Sequence, residues 1–244
     1  MVGEGENMFK KKLSVVAALL VLGSASAYAG VITGSPHDLS ATTTGVAVNG
    51  ELCVFCHTPH AGNSAFTGAP LWNKASPTTD FTMYGATSAA TNGQTIAQAD
   101  TGVSDPSNSS LACLSCHDGV SSIDSIVNAP GSGLNSVTTV TSITTIGVNA
   151  NANLTADLTN THPISVTYIP GNASLKPTNT VLTGWQGAGT ILDLLRGSGQ
   201  DQVECGSCHD PHNGLADQAT RSTEVNFLRH TNAGSALCLG CHDK

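Results

Sequence analysis

Eight cysteines fall into four pairs of one spacing, each followed at once by a histidine: Cys53/Cys56/His57, Cys113/Cys116/His117, Cys205/Cys208/His209 and Cys238/Cys241/His242. No cysteine stands outside this pattern. Two thiols three positions apart can add across the two vinyl groups of one porphyrin, and the imidazole beside them is then delivered to the iron. C-x-x-C-H is therefore the attachment signature of c-type haem. Four copies predict four covalently attached haem c groups, with His57, His117, His209 and His242 as proximal ligands. Other chemistries fit less well. Structural zinc has no need of a histidine directly after every second cysteine, a thioredoxin-like redox pair occurs once at a helix start, and a disulfide framework does not hold one spacing four times. At this histidine content, four such coincidences have a chance on the order of one in a million.

Five histidines lie outside the motifs: His37, His60, His162, His212 and His230. Four irons with one proximal imidazole each leave four open axial positions, so bis-His ligation of every haem is possible with one residue to spare. His60 and His212 occupy matching places in Cys-His-Thr-Pro-His and Cys-His-Asp-Pro-His. Three residues past a proximal histidine, with proline fixing the turn, such a ring cannot easily swing to the far face of its own haem. It can reach a neighbour's iron. His37, in Ser35-Pro36-His37-Asp38, and His162, in Thr161-His162-Pro163, sit in short turns suited to presenting a ligand. These four are the expected distal ligands, and His230 is the spare. Met83 could give a higher-potential His/Met haem, but a single Met beside Tyr84 reads as packing.

The elements that position these residues repeat. Motifs 1 and 3 continue as Cys-His-x-Pro-His, whereas motifs 2 and 4 read Leu111-Ala112-Cys113-Leu114-Ser115-Cys116-His117-Asp118 and Ala236-Leu237-Cys238-Leu239-Gly240-Cys241-His242-Asp243. The order is that of a duplicated two-haem unit, with 60 residues between motifs in the first copy and 33 in the second. Residues 1–29 read as a cleaved signal peptide: Lys10 to Lys12, an apolar run from Leu13 to Gly23, and Ala27-Tyr28-Ala29 before Gly30. A first dihaem unit then covers 30–128, a Thr/Ser/Val-rich middle segment 129–200, and a second dihaem unit 201–244. If His162 is a ligand, these form one fused haem core. Without the leader, six basic and fifteen acidic residues remain, a net charge of −9. That argues against nucleic acid or anionic membrane partners, and the leader is too short for stable membrane insertion.

Large apolar side chains are scarce, with aromatic residues at 4% of the chain, so haem is expected to supply the missing apolar bulk. The fold class expected is a mostly irregular, loop-rich multihaem cytochrome c, with short helices at the motifs and minor β structure wrapped around a chain of four haems. Ser136 to Val148 and Ile164 to Ile169 read as β-type runs, and Gly184 to Arg196 contains the best helix candidate, centred on Ile191 to Leu195. Trp72 and Trp185 are expected on haem edges or in small apolar pockets.

On Ser35-Pro36-His37-Asp38-Leu39, Cys53 to His60, Ser110 to His117, His162-Pro163-Ile164, Cys205 to His212 and Leu237 to Asp243, the chain resembles multihaem cytochromes with doubled C-x-x-C-H units. In particular it looks like the OmcE-type extracellular tetrahaem cytochromes of metal-reducing bacteria. That resemblance implies low-spin bis-His haems, alternating stacked and T-shaped haem neighbours, and protomers that polymerise into filaments. It also implies that one protomer donates a distal histidine to the next, with His37 the first candidate donor. The function expected is electron transfer in extracellular or periplasmic respiration, with redox proteins or extracellular acceptors as partners. The chain is expected to be exported to the cell surface or medium, or alternatively to the periplasm as a monomeric shuttle. An enzyme reducing nitrite or sulfite needs an iron with an open position. No motif marks one, so no catalytic residue is assigned.

Overall fold

Without long apolar periodicities, the chain has few stretches able to sustain regular structure, and turns closed by short-range hydrogen bonds do most of the work. The computed structural model describes residues 32–39, 52–84, 106–128, 145–147, 150–170, 174–212 and 227–243, except Gly34, Thr67 and Ser107. The leader and most of the Ser136 to Val148 run lie outside the described residues. The described residues fall in one unit of contacts, Val31–Lys244.

In chain order the elements are α1 (Asn108–His117), β1 (Val166–Thr167), a 3-10 turn η1 (Ile191–Leu194), β2 (Gln202–Val203), α2 (Cys205–Cys208), a second 3-10 turn η2 (Ala233–Ser235) and α3 (Ala236–Cys241). Among the described residues the chain is loop-rich, with short helices and one two-stranded sheet. Three of the four motifs ride on helices, α1, α2 and α3. Motif 1 is a turn rather than a helix, closed by the His57 N–H donating to the Cys53 carbonyl at 2.8 Å.

β1 and β2 are antiparallel, with Val166 opposite Val203 and Thr167 opposite Gln202. The expected Ile164 to Ile169 strand is thus trimmed at both ends. Ser165 takes a left-handed φ of 59°, which ladder pairing does not accommodate, and Pro170 follows the exposed Ile169. The expected helix over Gly184 to Arg196 shrinks to η1. Gly184 and Gly187 have φ of 78° and 68°, and Leu195 leaves the turn in extended backbone. Only Ile191 to Leu194 wind, and Ile191 and Leu194 are buried.

Small apolar clusters flank the motifs instead of forming one broad core. Phe81, Met83, Leu114 and Leu158 pack together on one side of α1. Phe66, Ala69 and Ala112 pack beside Trp72 and Leu111. Tyr168, Leu182, Ile191, Leu194 and Leu195 form a third cluster, against which Trp185 and Cys241 pack. Met83 is therefore a packing residue.

A buried polar seam joins α1 to α2. The Ser110 hydroxyl donates to the Glu204 carboxylate and accepts from the Cys205 N–H at 2.9 Å, while Ser165 Oγ donates to Glu204 at 3.0 Å. Glu204 is 1% exposed. A buried carboxylate is tolerated only when hydrogen-bonded, and here the bonds fix the start of motif 3 against the helix of motif 2.

Candidate haem sites

One helical turn places residues i and i+3 on one face, which is what a C-x-x-C pair needs to meet one porphyrin edge. Motifs 3 and 4 close that turn as motif 1 does: His209 N–H donates to the Cys205 carbonyl and His242 N–H to the Cys238 carbonyl, both at 2.9 Å. Motif 2 lies within α1. No two of the eight cysteines are joined in a disulfide. Among the described residues, no three or more His, Cys, Asp or Glu side chains converge to cage a metal ion.

A strap pins the backbone of each proximal histidine. His57 bridges to Trp72, His209 to Leu228 and His242 to Leu175, and the Leu154 N–H donates to the His117 carbonyl at 2.9 Å. The rings are oriented as well. His57 Nδ1 bonds the Pro70 carbonyl at 2.8 Å, and His117 Nδ1 bonds the Ala152 carbonyl at 2.7 Å. A carbonyl only accepts, so Nδ1 carries the proton and Nε2 is left with its lone pair free, the form that binds a metal.

The non-motif histidines come to meet these rings. Ring centres of His57 and His212 lie 6.0 Å apart, those of His117 and His37 6.0 Å apart, and those of His242 and His162 6.3 Å apart. Two imidazoles on one iron have centres roughly 6 Å apart, from metal–nitrogen bonds of about 2 Å and about 1 Å from nitrogen to ring centre. The three separations fit that requirement, each pairing one motif histidine with one outside the motifs. His37 is neutral at pH 7: burial first, then the neighbouring His117, His209 and His212, lower its pKa to about 4. Burial also lowers His117, against the opposing pull of the Ala152 carbonyl.

His162 Nδ1 meets the Pro163 carbonyl at 2.9 Å. His230, the spare by count, shows the same feature, with Nδ1 3.1 Å from the Thr231 carbonyl, and its ring stacks on Trp185 at 5.2 Å. His60 is exposed. A histidine tally alone cannot separate these two as the partner of His209. Trp72 meets His57 edge-on at 5.5 Å.

The cysteines also feel one another across motifs. Burial first, then the charge of Cys116, push Cys56 up to about 12. The Cys113 and Cys205 thiols hydrogen-bond each other, raising Cys113 and lowering Cys205. Burial first, then Cys241, push Cys208 up to about 11. Cysteines of motifs 1 and 2, of motifs 2 and 3, and of motifs 3 and 4 are thus near enough to act on one another electrostatically.

Comparison with known proteins agrees with this chemistry. Residues 199–244, holding motifs 3 and 4, match the family model described as the doubled CXXCH motif. A search of curated proteins finds no match. The match and the motifs indicate covalent haem c binding and support a multihaem c-type cytochrome with a role in electron transfer.

Proposed function

We propose that this chain is a four-haem electron conduit, exported from the cytoplasm and assembled outside it into filaments of the OmcE type. The observation that carries the reading is the meeting of motif and non-motif imidazoles, with ring centres 6.0, 6.0 and 6.3 Å apart in three pairs, which supports irons held close together. The haem iron supplies the chemistry, taking up and returning one electron without a change of ligands when six-coordinate. The protein's part is to hold each iron between two imidazoles and to keep neighbours close.

The proposed ligand pairs are His57 with His212, His117 with His37, and His242 with His162. The fourth proximal ligand, His209, takes His60 by reciprocity with the His57–His212 pair, each distal ring standing three residues beyond the other unit's proximal one. His37 lies against a ring of its own chain, so this reading no longer uses it as the donor to a neighbouring protomer. An electron carrier is favoured over a reductase because every iron has a histidine available on each side. The acidic chain is proposed to exchange electrons with redox proteins or extracellular acceptors.

Intact mass of the mature protein tests the haem count directly: four covalent haems are expected, and any other number refutes it. Loss of one haem is expected from each Cys-to-Ser pair substitution within a single motif. Negative-stain microscopy of the secreted fraction tests assembly, where filaments are expected and monodisperse particles at high concentration exclude polymerisation.

A further inference from the structure

Lys74 is 0% exposed. Its ammonium donates to the Ser122 carbonyl at 2.9 Å and to the Ile123 carbonyl at 2.6 Å, and it is within hydrogen-bonding reach of the Cys116 sulfur. Its positive charge acts on both Cys56 and Cys116. The backbone explains this placement. The strap Trp72-Asn73-Lys74 ties the first two motifs together: Asn73 N–H donates to the Cys56 carbonyl at 2.9 Å, and Trp72 Nε1 donates to Ser115 Oγ at 3.2 Å. Lys74 is thus wedged between the second cysteines of motifs 1 and 2.

Burying an ammonium costs several kcal/mol unless it is paired, yet no carboxylate lies within 4 Å of this one among the described residues. The nearest carboxylate felt at Cys116 is Asp118, whose effect there is smaller than that of Lys74. Asp118 is taken up by Val120 N–H, Ser121 N–H, the Ser121 hydroxyl and the Thr79 hydroxyl. The equivalent joint between motifs 3 and 4 is built otherwise. There Arg229 acts on Cys208 but is neutralised by Asp210 at 2.9 Å. Half-buried Lys176 acts on Cys241, and its ammonium donates to the carbonyl of exposed Leu239 at 2.6 Å.

We propose that Lys74 is a potential-setting residue, whose buried and unneutralised charge holds the haems of motifs 1 and 2 at higher reduction potentials than those of motifs 3 and 4. The inference rests on the haem reading above. Reduction lowers the charge of a haem iron by one, so a fixed cation beside it in a low-dielectric interior favours the reduced form. Half-buried Lys176 is more open to screening by water than Lys74, and the Arg229–Asp210 pair has no net charge. Electrons accordingly run downhill from the haems of motifs 3 and 4 to those of motifs 1 and 2.

The test is a spectroelectrochemical redox titration of wild type, Lys74→Met, Lys74→Arg and Lys176→Met, each first checked for four haems by intact mass. Two of the four potentials are expected to fall in Lys74→Met, to return close to wild type in Lys74→Arg, and to move far less in Lys176→Met. A Lys74→Met curve that superimposes on wild type overturns the proposal, as does a Lys74→Arg protein shifted as far as Lys74→Met. Should Lys74→Met fail to load four haems, site-assigned potentials of the wild type by paramagnetic NMR decide instead. Motifs 1 and 2 above motifs 3 and 4 supports the proposal, and the reverse order overturns it. A wild-type mass below four haems refutes the haem reading itself, before any potential is measured.

Discussion

Motifs 2 and 4 are near-copies in sequence, yet each is seated against a tryptophan in a different way. In motif 2 the residue before the second cysteine is Ser115, whose hydroxyl accepts from Trp72 Nε1 at 3.2 Å and donates to the Ala112 carbonyl at 2.6 Å. In motif 4 the same place is Gly240, and a β-carbon there would lie 2.2 Å from Trp185 Cζ2. One unit holds its indole by a hydrogen bond, the other by removing a side chain. The charges differ in parallel, with a buried cation alone in the first joint and a closed ion pair in the second. The two motifs share the C-x-x-C-H signature while the supports around them differ.

The largest effect is expected where that ion pair is broken. Arg229→Met takes the guanidinium away from buried Asp210, and removing one member of a buried ion pair costs about 3–5 kcal/mol; denaturant unfolding of the haem-loaded protein should show it. Lys74→Met strands two carbonyls but no carboxylate, so a smaller loss of about 1–3 kcal/mol is expected. Equal losses in the two variants would erase the contrast between the joints.

Next comes the tryptophan seat. Gly240→Ser forces a side chain into Trp185 and should cost about 1–3 kcal/mol by overpacking. The reciprocal change, Ser115→Gly, removes one hydrogen-bonding hydroxyl and loosens α1, together costing about 1–2 kcal/mol. Thermal melts followed at the haem absorption would report both. A Gly240→Ser protein as stable as wild type would show that Trp185 is free to move aside.

The smallest effect belongs to the exposed turn η1. Asp193 accepts from the Thr190 N–H, the Thr190 hydroxyl and the Gly189 N–H at 2.8–3.0 Å, and these bonds hold its pKa below the usual value. With the folded pKa depressed, its contribution is present above the unfolded value near 4 and is lost as pH falls through the lower folded value. Asp193→Asn should therefore flatten the acid limb of stability, read as melting temperature from about pH 6 down to about pH 2. An unchanged acid limb would remove Asp193 from the account.

Much of the site was legible because haem attachment is local chemistry. Four C-x-x-C-H runs specify their own helical turns, and the matching tails of motifs 1 and 3 hint that His212 serves the other unit. Met83 as packing was also readable from its isolation. The ring partners of His37 and His162 were not fixed by local sequence, since both depend on contacts between distant segments. Lys74 left no signal at all: a single lysine between Asn73 and Ala75 reads as surface, and only the strap that ties Trp72 to Ser115 and Asn73 to Cys56 carries it inside. The helix candidate centred on Ile191 to Leu195 is a 3-10 turn over Ile191–Leu194, kept short by positive-φ Gly184 and Gly187, which an apolar pattern does not register.

A high-resolution structure of the haem-loaded protein, read for the ligands of its irons, is the most direct test. Every iron is expected to be six-coordinate, with His212 on the iron of motif 1, His37 on that of motif 2 and His162 on that of motif 4. An iron with an open coordination position, or His212 on the iron of its own motif, would contradict this reading.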